Sequence, residues 1–266
     1  MVSEQKEAIK TAAARLRLSV FAQYEKHTDP KHSFEENLAA LLQEQVALAD
    51  DDRFKRRVRY AGFPQVKTFG TFVMSKEHLP HLNFDELGFL KDCAFIDEKV
   101  NIVALGPSGR GKTHVALAIG YEAVKRGYSV RFKRACDMVN EMGEAQTEKQ
   151  LTDYIRAINR CQLLIVDEVG YLDYDAASAN LLFQVVGARC ESASTLYTTN
   201  LPFSEWTQFI KNERLALAIV GRIAHNAVIL NMNGPKDWRL EHTLSKQRRS
   251  SQGNESIQKE QENNEF

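Results

Sequence analysis

With 266 residues, 43% of them hydrophobic and 26% charged, the chain has the composition of an ordinary folded protein with room for one large α/β domain and a smaller attachment. Lys plus Arg and Asp plus Glu each number 35, which excludes a uniformly basic, polyanion-coating surface but leaves local basic patches open. The cysteines at 93, 136, 161 and 190 lack metal-ligand or CxxC spacing, no apolar run approaches the roughly 20 residues that cross a bilayer, and MVSEQKEAIK has no apolar signal core, so a reduced, cytoplasmic chain without a membrane partner is expected.

The N-terminal stretches IKTAAARLRLSVFAQY and SFEENLAALLQEQVALA repeat apolar residues at three and four, with HTDPKH between them as a breaker. Ile9, Ala13, Leu16 and Val20 mark one helical face and Leu38, Leu41, Leu42 and Val46 the other, so the two helices either pair as a hairpin or offer these faces to a partner. In DDDRFKRRVRYAGFP the charge changes sign abruptly, bringing Arg53, Lys55, Arg56, Arg57 and Arg59 together before Gly62 and Pro64 break the pattern. A domain boundary is expected there, giving a helical domain at 1–62 for partner binding or oligomerisation and a main domain at 63–244. The stretch QVKTFGTFVMSKEHLP reads as a linker, and NFDELGFLKDCAFIDE as one helix leading into the first strand.

From about residue 100 strand and helix alternate. The short apolar runs VNIVAL, YSVRFK, LLIVDE, STLYTT and AVILNM are separated by segments long enough for crossover helices, which predicts a mainly parallel sheet covered on both faces. The tail 245–266, rich in Gln, Glu, Asn and Ser, has the composition of a disordered segment.

Three elements within this α/β region carry chemistry. GPSGRGKT at 106–113 follows a strand and opens a helix closed by Lys125, Arg126 and Gly127. Its glycines let successive N–H groups turn inward at a helix N-terminus, where a phosphate fits. The ATP-binding set is therefore Gly106, Pro107, Ser108, Gly109, Arg110, Gly111, Lys112, Thr113 and His114, with Lys112 on the β and γ phosphates and Thr113 on Mg²⁺. LLIVDE places Asp167 and Glu168 at a strand's carboxyl end, Asp167 for the magnesium ion and Glu168 for the attacking water, a pairing that favours hydrolysis. Asn200, at the tip of STLYTTN, either touches the γ-phosphate and the attacking water or serves as a turn residue before Leu201 and Pro202.

Taken in order, these elements and the string IVGRIAHNAVIL resemble the AAA+ ATPases and, within them, the IstB family of transposition helper ATPases of insertion sequences, which is related to the DnaC helicase loader. The likeness covers roughly residues 35–243. It implies an AAA+ P-loop domain with a five-stranded parallel sheet, preceded by a small all-α domain, acting as an ATP- and Mg²⁺-dependent oligomer on duplex DNA beside the transposase of the same element. It also implies that ACDMVNEMGEAQTEKQLTDYIRAINR is an additional helix on the DNA side, entered through Lys133 and Arg134, which join Arg53, Arg56 and Arg57 as DNA-contacting candidates. Arg222 becomes the arginine donated in trans, with Arg214 as the alternative, and Arg239 takes the sensor II position. Gly221 stands where the family has an acidic residue, and GPKDWR replaces the usual end of the motif. A helicase loader on the same scaffold, a P-loop kinase for a small acceptor and a DNA-binding module with a purely structural nucleotide site are the competing readings.

Overall fold

The structure is a computed structural model and describes residues 2–72, 79–171 and 173–234. The chain divides into two compact units between Arg59 and Tyr60.

In the first unit, α1 (Val2–Leu16) ends where Arg17 turns left-handed, and a short α2 (Ser19–Ala22) follows. Helix α3 (Phe34–Ala61) starts on a reciprocal cap: Ser33 N–H donates to Glu36 at 2.7 Å, and Glu36 N–H donates to the Ser33 hydroxyl at 3.2 Å. The charge reversal at 50–59 does not end this helix, because opposite charges one turn apart pair along it, Asp50 with Arg53 at 3.0 Å and Asp51 with Lys55 at 2.6 Å. It ends at Gly62, which adopts φ 67°. Of the apolar positions expected to pair, Ala13, Val20 and Leu41 are buried, whereas Ile9, Leu16, Leu42 and Val46 are exposed.

The second unit is built on a five-stranded sheet, β1 (Asn101–Leu105), β2 (Val130–Arg134), β3 (Leu163–Val169), β4 (Ser194–Thr199) and β5 (Ala227–Asn231), in the order β2-β3-β4-β1-β5. Every pairing is parallel. Because successive residues of a strand face opposite sides, β3 splits its apolar run: Ile165 lies against α6 (Lys112–Lys125), while Leu164 and Val166 join the core beneath the other helices. That second core is closed by α7 (Ala135–Thr147), α8 (Leu151–Asn159), α9 (Ala176–Arg189), α10 (Trp206–Phe209) and α11 (Glu213–Ala224). Helix α6 stops where expected, with Gly127 at φ 98° and Tyr128 N–H returning to Ala123 O at 3.0 Å.

Two stretches that read as single helices are each two. NFDELGFLKDCAFIDE is broken into α4 (Phe84–Lys91) and α5 (Ala94–Asp97) by Cys93, which is fully buried at φ 59°. The additional helix after β2 is α7 and α8, separated by Lys149 at φ 60°. No proline or glycine marks either break; a left-handed residue made tenable by its surroundings does. The stretch expected to be a linker also carries structure: Phe69–Thr71 forms a 3-10 turn that docks beside α6. Arg189, which belongs to no sequence motif, is 2% exposed and donates to Thr195 Oγ1 at 2.9 Å, Cys161 O at 3.1 Å and Ser194 O at 2.6 Å. It pins the start of β4 to the chain entering β3.

Candidate nucleotide site

Both halves of the site arise at the carboxyl ends of neighbouring strands. β1 delivers the loop 106–111 to the start of α6, and β3 and β4 deliver Asp167 and Thr198 beside it. Two glycines of the loop are required by space. A side chain at Gly106 would meet Met232 O at 2.7 Å, and one at Gly111 would strike the Phe72 ring at 2.4 Å. Lys112 turns back over the loop, donating to Gly106 O at 2.6 Å and Pro107 O at 2.9 Å, so its ammonium sits above the cradle.

The Thr113 hydroxyl donates to the Asp167 carboxylate at 2.9 and 3.1 Å, although the two residues are 54 positions apart. Asp167 is 4% exposed and also accepts a bond from Thr198 Oγ1 at 2.6 Å. That same threonine hydroxyl accepts the Glu168 N–H at 2.9 Å. Glu168 has φ 62°, and β3 shifts register against β4 between Val166 and Val169. This bulge turns the glutamate out of the alternation that would otherwise bury it, leaving its side chain exposed in the cavity while Asp167 points inward.

The cavity, of about 720 Å³, is lined on one side by Ser108–His114 and on the other by Lys133, Arg134, Asp167, Glu168 and Thr198. Arg134 lies in register with Asp167 across β2 and β3 and pairs with Asp137 at 2.8 Å. Lys133 is held by both oxygens of Glu141 at 2.6 Å, and Glu141 accepts a further bond from the Tyr154 hydroxyl. Glu141 is pulled two ways: partial burial would raise its pKa, but the bonds from Lys133 and Tyr154 prevail and lower it. Lys133 and Arg134, expected as DNA-contacting residues, line the same cavity as the phosphate loop.

His114 stands with its Nε2 3.2 Å from Thr68 O and 3.2 Å from the Thr71 hydroxyl, and the Phe72 ring packs against it at 4.8 Å. A carbonyl only accepts, so Nε2 carries the proton. Burial lowers the His114 pKa and favours the neutral ring. This histidine therefore fastens the 68–72 turn to the phosphate loop, a use that its place in the motif does not reveal.

The remaining sequence candidates fall elsewhere. Asn200 is exposed one residue past β4 and does not line the cavity. Thr198 occupies the inward position instead, because the strand ends at Thr199 and its alternation does not extend to 200. Arg222, near the end of α11, is outside its own chain's cavity; its guanidinium lies over the Phe183 ring, 4.0 Å from the centroid. Arg214 is exposed on the same helix. Arg53 pairs with Asp50, whereas Arg56 and Arg57 carry no ion pair among the described residues. Arg239 lies outside the described residues.

Two observations test the fit of a nucleotide and its metal. Nε and Nη1 of Arg110, in the phosphate loop, are buried without a hydrogen-bond partner, an arrangement an incoming anion would relieve. The hydroxyl of Thr113 beside the Asp167 carboxylate is a hard-oxygen pair, and no cluster of three or more His, Cys, Asp or Glu side chains suited to a metal exists among the described residues. A hydroxyl beside a carboxylate suits a hard divalent cation that takes its remaining ligands from phosphate oxygens and water.

Residues 11–246 match the family model described as IstB-like ATP binding protein. The chain belongs to this family. It is 34% identical over 252 residues, 93% of this chain and all of the relative, to a protein of Geobacillus stearothermophilus named for ATP binding in insertion sequence IS5376. It is 31% identical over 208 residues to the corresponding IS21 protein of Pseudomonas aeruginosa, covering 78% of this chain and 77% of that one. Among solved structures, AMPPCP-bound DnaA from Aquifex aeolicus aligns with a TM-score of 0.53 and 19% identity over 69% of this chain and 55% of that one. The DnaC helicase loader aligns with a TM-score of 0.50 and 19% identity over 65% of this chain and 97% of that one. At these identities the solved structures show the fold that this IstB-like chain shares with DnaA and DnaC, and nothing finer. No helix among the described residues is long and apolar enough to cross a membrane.

Proposed function

We propose that this IstB-like protein hydrolyses ATP as an oligomer on duplex DNA and in that state selects or remodels a target for the transposase of its insertion sequence. The observation that carries the hydrolytic part is the bonded series Thr113–Asp167–Thr198–Glu168, which joins the helix after the phosphate loop to a carboxylate freed by a strand bulge. ATP would lie with its phosphates on the N–H groups of 106–113, Lys112 moving from its loop carbonyls onto the β and γ oxygens. Mg²⁺, held by Thr113 and Asp167, would supply neutralisation of the phosphate charge. Glu168 would take the proton of a water aligned with the γ-phosphorus. Arg222, remote from its own cavity, would complete the site of a neighbouring copy and make turnover depend on assembly.

For DNA we assign phosphate contacts to Arg53, Arg56 and Arg57; Lys133 and Arg134 act within the nucleotide cavity, where Glu141 and Asp137 hold them. Such contacts read the backbone, so affinity would be insensitive to sequence and steep in salt. The relatives named for insertion sequences favour transposition over helicase loading. The experiment is steady-state hydrolysis of ATP with Mg²⁺, with and without duplex DNA, alongside the oligomeric state in each condition. Stimulated turnover by an oligomer is expected; a monomer that does not turn over with saturating ATP, Mg²⁺ and duplex refutes the proposal.

A further inference from the structure

We propose that Phe183 and Gly187, both on α9, form a seat that fixes the direction of the Arg222 side chain before assembly, making them positioning residues for the nucleotide site of a neighbouring copy. The inference rests on the reading of Arg222 as the arginine donated in trans. Three observations carry it. The Arg222 guanidinium lies 4.0 Å from the centroid of the Phe183 ring. Gly187, one turn along the same helix, leaves the space the guanidinium fills: a Cβ added there would come within 2.5 Å of Arg222 Nη1. Arg222 makes no ion pair among the described residues and does not reach its own chain's cavity.

The choice of an aromatic ring as anchor has a chemical consequence. A carboxylate partner would hold the arginine as firmly but would neutralise the charge that must act on a γ-phosphoryl group. A ring face attracts the cation while leaving its N–H edge and its charge available. An arginine free in solvent would lose rotamer freedom at each assembly event; one already seated loses less. Glycine within a helix is unfavourable by itself, and here it has a use, since a Cβ at 187 would crowd Nη1 and force the guanidinium to shift on the ring.

The test measures ATP turnover, ATP KM and melting temperature of the full chain, assembled with Mg²⁺ and duplex DNA, for Phe183→Leu, Phe183→Tyr, Gly187→Ala and Arg222→Ala. Arg222→Ala should lose about 10³-fold in turnover. Phe183→Leu, which removes the ring, and Gly187→Ala, which keeps it but displaces the cation, should each lower kcat roughly 10- to 100-fold with KM little changed. Phe183→Tyr should retain turnover, and adding Phe183→Leu to Arg222→Ala should cost nothing further. If Arg222→Ala is inactive while both α9 variants turn over as the wild type does, the seat is refuted and the trans arginine stands. If Phe183→Leu lowers the residual rate of Arg222→Ala by its full factor, the ring acts on packing alone and the seat is refuted. Wild-type turnover by Arg222→Ala would overturn the trans reading itself, and the seat with it.

Discussion

Thr198 offers the sharpest test of the site, because one hydroxyl there serves both the Asp167 carboxylate and the Glu168 backbone N–H. Thr198→Val keeps the side chain's shape at a position that is 0% exposed but removes the donor to Asp167 Oδ1 at 2.6 Å and the acceptor of the Glu168 N–H at 2.9 Å. Leaving a buried polar group unmatched costs about 1–3 kcal/mol. Asp167 keeps its bond from Thr113, so the Glu168 N–H is the group the substitution strips of its acceptor. Glu168 at φ 62° holds a conformation that costs about 1–3 kcal/mol unless its surroundings fix it, and the Thr198 bond is part of that fixing. If about 1.4–2.8 kcal/mol of this appears as poorer alignment of Glu168, kcat falls roughly 10- to 100-fold. ATP affinity should change little, because the phosphate loop is untouched. The assay is ATP turnover paired with equilibrium binding of a fluorescent ATP analogue, and Thr198→Ser should restore most of the loss. A folded Thr198→Val protein with wild-type kcat, or a Thr198→Ser protein no better than Thr198→Val, would refute the reasoning.

Other perturbations separate the remaining parts. Glu168→Gln should bind ATP normally and lose about 10²–10⁴-fold in turnover, measured under single-turnover conditions. Reversing Arg56 and Arg57 to Glu should weaken duplex binding and flatten the dependence of log K on log salt by about 0.9 for each phosphate no longer neutralised, as followed by fluorescence anisotropy. The lowered pKa of His114 gives a pH dependence of defined sign. Folding favours the neutral ring, so its contribution is complete above the unfolded value near 6.5 and is lost as pH falls through the lower folded value. Melting temperatures of the wild type and His114→Gln should therefore converge as the solution is acidified. Arg189→Met leaves the carbonyls of Cys161 and Ser194 without their donor and should destabilise the chain by about 2–4 kcal/mol in chemical denaturation, with the ATP site's affinity preserved once folded.

Much of the nucleotide site is legible in the sequence because its chemistry is local. A glycine-rich loop between a strand and a helix and two acids at a strand end are constrained by spacing within short stretches, as GPSGRGKT and LLIVDE show. Thr198 is not legible: its neighbour Asn200 has the more obviously functional amide, and only the end of β4 at Thr199 decides which of the two faces inward. The breaks at Cys93 and Lys149 are hidden because neither residue type favours a left-handed backbone; the tertiary surroundings hold them there. The end of α3 at Ala61 is legible, since Gly62 breaks the pattern there; what the structure adds is that the acids and bases of 50–59 stand one turn apart and pair along the helix.

Sequence alone determined the alternation of strand and helix, the phosphate loop, the acids beside it and the family resemblance, because periodicity, glycine placement and charge act over a few residues. Only the tertiary structure decided that Lys133 and Arg134 line the cavity, that His114 fastens the 68–72 turn, that Thr198 joins Asp167 to Glu168, and that Arg222 rests on Phe183. These pairings unite residues separated by many positions along the chain. The all-parallel order β2-β3-β4-β1-β5 sets the carboxyl ends of the strands, and the cavity residues beside them, at one end of the sheet, whereas Arg222 and Phe183 meet on the helices outside that cavity.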